Sequence, residues 1–259
     1  MRRFHLIEIE DQRWCPASVR DGVTDYLRFM ADAARVYEPV ADTLADALHE
    51  TNSSTIVDLA AGAGGPWRSL LPALRERGAT PGVTLTDQHP NSAAFASIER
   101  DTGGAVRGHP YPADATATPS ELTGLRTIFA ALHHFRPTEA RAVLQDAVRR
   151  GEGVAVFEPM HRSARAILLT CLTPMAVLLT TPRVTPFRWS RLAWTYLLPA
   201  IPLVVLIDGI VSCLRTYTPD ELRGLVAGLE GADGYRWSAG EAGTGPIPVT
   251  YLVGVRRAE

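Results

Sequence analysis

Between Thr55 and Glu158, short apolar runs alternate with stretches of helical periodicity, the pattern of parallel strands joined by crossover helices. The runs predict strands near 55–60, 83–87, 104–108, 126–131 and 153–158, with helices over 66–77, 91–100, 119–123 and 138–150. Five strand and helix units in a row imply a doubly wound α/β sheet. Ahead of them, Val23, Leu27, Met30, Tyr37, Leu44 and Leu48 recur near helical spacing, and Pro39 is expected to divide this preface into two helices. Such a preface either caps a site or simply covers the sheet.

After Glu158 the alternation gives way to an apolar region in which 166–182 and 192–207 carry no charge. Thr218-Pro219-Asp220-Glu221 then has the signature of a helix start, with a Thr N-cap, Pro at the first helical position and Glu three residues after the cap. Tyr235-Arg236-Trp237 and the run 248–256 predict two closing strands. The pattern divides one structural domain into a helical cap (1–50), a core (51–160), an apolar insertion (161–217) and a closing segment (218–259).

Is the insertion a membrane anchor? Residues 192–214 are just long enough to span a bilayer, but Pro199, Pro202 and Asp208 interrupt them, and the shorter run 166–182 contains Pro174. The favoured expectation is a lid folded over the sheet's C-terminal edge, enclosing an apolar pocket. Peripheral membrane contact, a lipid-like substrate and a spanning hairpin stay open as alternatives.

Composition narrows the chemistry. A length of 259 residues suits one sizeable core, and 46% hydrophobic with 21% charged residues is ordinary for a globular chain. The net charge of −2 and the lack of an arginine stripe interleaved with aromatics speak against nucleic acid. All 26 basic residues are arginine, which excludes a Schiff-base lysine and a P-loop lysine. Cys15, Cys171 and Cys213 are too scattered for a metal cluster or a disulfide framework, and the N-terminus has no apolar signal region, so a cytoplasmic protein without a bound metal is expected.

The chemistry starts at Val57-Asp58-Leu59-Ala60-Ala61-Gly62-Ala63-Gly64-Gly65, a buried strand running into a loop of small residues before a helix. Small residues let the backbone approach a ligand, and the helix N-terminus offers free N–H groups. A dinucleotide fingerprint counted from Gly62 reaches Gly64 but then meets Trp67 in place of its third glycine.

The loop instead resembles motif I of the class I S-adenosylmethionine (SAM)-dependent methyltransferases, with Ala60 in place of the first glycine and Gly62 and Gly64 at the other two positions. The resemblance continues in order. Asp87 ends Val83-Thr84-Leu85-Thr86-Asp87, 29 residues after Asp58, where the family places the carboxylate that binds the ribose hydroxyls. Asp114, in Tyr111-Pro112-Ala113-Asp114-Ala115-Thr116, stands where it contacts the adenine amino group. The resemblance covers about half the chain. It implies a Rossmann-like, mostly parallel seven-stranded sheet and a cofactor site of Asp58, Ala60, Ala61, Gly62, Gly64, Asp87, Gln88, Asp114 and Ala115. It also implies SAM as methyl donor, with S-adenosylhomocysteine as product.

Methyl transfer requires an acceptor held in line with the methyl group, and a hydroxyl acceptor gains from a base. His133 and His134 end the fourth strand and Glu158 the fifth; His134 is the preferred base, with His133 and Glu158 as rivals, each of which could equally orient a neighbour. Asp208 follows sixteen uncharged residues and needs a partner if buried, for which Arg215 is nearest in sequence. Trp14, Arg20, Tyr26, Tyr196, Asp208, Arg215 and Tyr217 are the candidate substrate or cap contacts. The reading at this point is an enzyme methylating an O or N atom of a small, largely apolar molecule. Abundant Ala and Arg without Lys point to a high-GC bacterial genome and natural-product metabolism by association alone. A lipid-modifying enzyme at a membrane and a non-catalytic SAM-binding protein are the alternatives.

Overall fold

A computed structural model describes residues 1–245 and 248–257; residues 246–247 and 258–259, which belong to the closing segment 218–259, lie outside the described residues. The chain opens with a strap over residues 1–16, followed by helices α1 (Ala17–Ala33) and α2 (Ala41–Glu50). The core runs β1 (Thr55–Asp58), α3 (Trp67–Glu76), β2 (Gly82–Leu85), α4 (Ser92–Asp101), β3 (Val106–Gly108), β4 (Leu125–Phe129), α5 (Pro137–Arg149) and β5 (Val154–Glu158). Helices α6 (Ala164–Thr170), α7 (Thr173–Thr180), α8 (Trp189–Leu192) and α9 (Ala200–Arg215) form the insertion. Helix α10 (Pro219–Val226) and strands β6 (Tyr235–Ala242) and β7 (Val249–Arg256) complete the fold.

The seven strands lie in the order β3-β2-β1-β4-β5-β7-β6. Strands β1 to β5 are parallel, and β7 pairs antiparallel with both β5 and β6. The order reverses at β1, whose neighbours are β2 and β4, so the crevice at its C-terminal end is where an open α/β sheet binds a ligand. One face of the sheet is covered by α2 and α3 through Leu44, Trp67, Leu70 and Leu74, the other by α5 and α10 through Val143, Leu144, Leu222 and Leu225. With both faces covered, all five residues of β4 and of β5 are buried.

Several boundaries differ from expectation for physical reasons. The cap breaks at residues 34–37, where Arg35 takes a positive φ of 49°, while Pro39 sits inside the one-turn 3-10 helix Glu38–Val40. Residues 119–123 form turns in place of a helix, because five residues cannot repay helix nucleation. The capping box at Thr218 is formed: its hydroxyl accepts from Glu221 N at 3.3 Å, and Glu221 Oε2 accepts from Thr218 N at 2.9 Å.

The insertion does not enclose a pocket as a lid would. Helices α7 and α9 pack Val177, Ile201, Val204 and Val205 against Cys15, Val19, Val23 and Tyr26 on one side of α1. A Cβ on Gly22 would lie 2.4 Å from Ile201 Cδ1, so this glycine sets how closely α9 approaches. The joint is also ionic. Asp25, fully buried on α1, meets Arg191 Nη1 at 2.7 Å and Arg188 Nε at 3.1 Å, and Arg191 also donates to the carbonyls of Val184 and Pro186.

Candidate cofactor and active site

The loop after β1 is shaped by backbone conformation. Ala60, Gly62, Gly64 and Gly65 have φ of 53°, 55°, 110° and 62°, the left-handed region in which only residues with small side chains sit readily. Asp58 props the loop from behind: its carboxylate accepts from Trp67 Nε1 at 2.8 Å and from Thr127 Oγ1 at 2.7 Å. Burial raises its pKa to about 7, against the two hydrogen bonds. From β2, Asp87 Oδ2 accepts from Gly62 N at 2.8 Å and Oδ1 from His89 N at 2.7 Å, joining two strand ends. Asp114 Oδ1 closes its own turn by accepting from Thr116 N at 2.8 Å and Thr116 Oγ1 at 2.7 Å.

These segments border a cavity of about 430 Å³ over the C-terminal ends of β1, β2 and β4, within the size range of small-molecule sites. Of the positions named for the cofactor, Ala60, Ala61, Gly62, Asp87, Gln88, Asp114 and Ala115 line it. Asp58 and Gly64 stand behind the wall, Asp58 facing Trp67 and Thr127, Gly64 packed against Ile98 and Leu85. The opposite wall is the second side of α1, with Arg20, Asp21, Thr24 and Arg28, together with Glu10, Asp11 and His134. That wall carries charged side chains, while Leu27, Phe129 and Phe135 also line the cavity; the insertion's apolar helices, expected to enclose it, lie on the far side of α1.

The two histidines share a single turn after β4, Leu132–His134, but have different surroundings. His133 is buried, with Nδ1 2.8 Å from Glu158 Oε2, while its backbone N–H donates to Glu158 Oε1 at 3.1 Å. Its Nε2 lies 3.8 Å from Glu8 Oε1. Glu158 therefore orients His133 and does not face the cavity. His134 does face it, with Nδ1 2.8 Å from Glu8 Oε2 and 3.0 Å from Asp11 Oδ1. Burial would lower the pKa of His134, but Glu8 and Asp11 together hold it well above the ordinary range. Burial likewise opposes ionisation of Glu8, yet His134, His133 and Arg215 bring its pKa down to about 2. Held protonated by these carboxylates, His134 presents a cation to the cavity.

Glu8, Glu10 and Asp11 were not legible as site residues. Burial pushes the Glu10 carboxyl up to about 8, against the pull of His134 and with Glu8, Asp208 and Asp11 adding to the rise. Its Oε2 is buried without a hydrogen-bond partner. The only signal in the sequence was the alternation Ile7-Glu8-Ile9-Glu10, which puts acidic side chains on one side of an extended strap.

No family model matches the sequence, and no curated protein matches it. Among solved structures, magnesium protoporphyrin IX methyltransferase from Synechocystis, determined with bound SAH, is similar over 92% of this chain and 98% of that one, at a TM-score of 0.50 and 15% identity. The chain has the class I methyltransferase fold. An O-methyltransferase family protein from Burkholderia thailandensis superposes on 89% of the chain at a TM-score of 0.49 and 19% identity. Mitomycin 7-O-methyltransferase does so over 96% at 0.49 and 16%. This chain spans 60% of the length of the first of these two and 70% of the second.

On this class I methyltransferase fold, the expected substrate contacts separate. Arg20 lines the cavity while donating to the carbonyls of Glu10 at 2.8 Å and Gln12 at 2.9 Å, so it also fastens the strap. Trp14 points to solvent, Tyr26 is buried between α1 and the insertion, and exposed Tyr196 donates to Leu178 O at 2.6 Å. Asp208 does not pair with Arg215; it accepts from the backbone N–H groups of Ile9 and Glu10 at 2.8 and 3.0 Å. Arg215 Nη1 instead lies 3.1 Å from both Glu8 Oε2 and Asp11 Oδ2. Tyr217 donates to Phe135 O at 2.8 Å beneath the Arg3 guanidinium. Asp208, Arg215 and Tyr217 thus hold the strap and the histidine turn. Ligand atoms of Glu8, His133 and His134 come within 4.8 Å of one another, but the Arg215 guanidinium already supplies a cation at Glu8.

Proposed function

We propose that the chain is a cytoplasmic SAM-dependent methyltransferase that methylates an O or N atom of a small molecule. One observation carries the reading: a single cavity has the positions matching the family's cofactor motifs on one wall and ionisable side chains on the other. The open backbone at Ala60–Gly62 and the cavity-facing carboxylates of Asp87 and Asp114 fit a nucleoside bearing an amino-acid tail. When bound, SAM supplies an electrophilic methyl group on a sulfonium. Leu27, Tyr37, Phe129 and Phe135 line the cavity beside Arg20, Asp21 and Arg28, which supports a small, largely apolar acceptor bearing a polar group.

Glu10 is the base in this reading. It borders the cavity, has an unpartnered oxygen, and its raised pKa matches a group exchanging a proton near neutrality. With SAM bound, Glu10 would take the proton of the acceptor hydroxyl, and the His134 imidazolium would stand beside it as a compensating cation. Since the active form is ionised, turnover rises with pH through about 8. Calorimetric titration tests the cofactor first: SAM and S-adenosylhomocysteine are expected to bind and NAD is not. Asp87→Ala is expected to weaken SAM by roughly 10- to 100-fold, the value of a charged hydrogen bond. No heat from either sulfur ligand with the wild-type chain rejects the proposal.

A further inference from the structure

The insertion turns its apolar surface outward, away from the cavity. Leu168, Leu172, Met175 and Leu179 recur at i, i+4, i+7 and i+11 along Ala164–Arg183 and are 69%, 64%, 60% and 65% exposed. This stretch contains an 18-residue window of mean hydropathy 1.6, of which 22% is buried. Exposed apolar surface of this extent on a soluble fold marks an interaction face. Its continuation is aromatic: Trp189 is 78% exposed and stacks edge-on with Phe187, their rings 5.2 Å apart, and Leu197 beyond them is 80% exposed.

Charge identifies the occupant. Residues 161–217 hold six arginines and one aspartate; Arg162, Arg188, Arg191 and Arg215 pair with carboxylates elsewhere in the chain, which leaves Arg165 and Arg183 as the cations this segment offers to its surroundings. The aspartate, Asp208, is buried on the strap, so no acidic side chain of this segment reaches its surface. Arg165 and Arg183, at the two ends of the leucine stripe, are exposed. An apolar stripe bounded by arginines and flanked by Trp and Phe is what the interface of an anionic bilayer selects. A second protein chain offers no reason for two arginines without acidic neighbours of their own segment at the ends of an apolar stripe. The opposite side of the same stretch packs on α9, with Val177 buried and Thr170 Oγ1 3.6 Å from Cys213 Sγ. Only one side is therefore free for lipid, and the helix pair 189–197 and 200–215 bends by 80° rather than forming one straight span.

We propose that α6, α7 and the 187–198 segment form a docking surface for an anionic phospholipid bilayer, lying along the headgroup plane. The reading concerns a face separate from the cavity and does not require methyl transfer. The test is flotation of the full chain with phosphatidylcholine vesicles, with and without phosphatidylglycerol. The wild-type chain is expected to float with the anionic vesicles, more weakly with neutral ones, and less as salt rises. Leu172→Glu with Leu179→Glu is expected to lower vesicle affinity at least about tenfold with an unchanged circular dichroism spectrum. Arg165→Glu with Arg183→Glu is expected to abolish the preference for anionic lipid. Wild-type protein that stays unbound with both vesicle types overturns the proposal, a result needing no variant. So does flotation unaltered by the leucine pair, or a wild-type dimer that this pair dissociates while the wild type fails to float.

Discussion

Strands β4 and β5, Leu125-Arg126-Thr127-Ile128-Phe129 and Val154-Ala155-Val156-Phe157-Glu158, bury every residue, whereas helix α7, which carries no charged residue, buries only Val177. The difference is in the neighbours. A central strand of a doubly wound sheet has a strand on each edge and helices on both faces, so even Arg126 and Glu158 are enclosed and must find partners. Helix α7 has protein on one side alone. Hydropathy measures how much a segment gains by leaving water, and the fold decides whether protein or some other apolar phase receives it.

Asp25→Ala leaves the buried Arg191 without its carboxylate and is expected to cost about 3–5 kcal/mol in a urea melt. Within the sheet, Ile128→Ala empties a fully buried site, and a loss of about 2–5 kcal/mol is expected by the same measurement.

A third test uses pH. The Asp58 pKa rises from 3.8 to about 7 on folding, so the native state holds this proton more tightly. Its contribution is fully present below 3.8 and is lost as pH rises to about 7, with a slope of up to about 1.4 kcal/mol per pH unit. Asp58→Asn is expected to flatten that part of the stability profile; an unchanged slope would show that the carboxyl is ionised in the fold. The smallest effect belongs to the insertion, where Leu172→Ala is expected to shift stability by less than about 0.5 kcal/mol. A cost near that of Ile128→Ala would place Leu172 in a buried core.

Legibility followed the distance between partners. The β1 loop, Asp87, Asp114 and the Thr218 capping box are local patterns, and each was readable because its signal lies within a few residues or at a fixed spacing along alternating strands and helices. The strap was not readable, because Glu8 meets His133 and His134 across about 125 residues and Arg215 across 207. Asp208 and Arg215 show the same failure from the other side. Seven residues apart on one helix, they are separated by roughly 10 Å of rise, too far to pair, and both turn to the strap instead. The leucine stripe was visible as apolar sequence, but its exposure depends on α9 occupying only one side of it.

Helix α1 is the partition between the cavity and the insertion, with Arg20, Thr24 and Arg28 on one side and Val19, Val23 and Tyr26 on the other. A partition of this kind imposes a thermodynamic symmetry. Whatever factor a bilayer on the outer face introduces into cofactor affinity, the cofactor must return to bilayer affinity, so one coupling constant is measurable from either side. A value of one would make α1 a rigid wall; any other value would make it a transmitter.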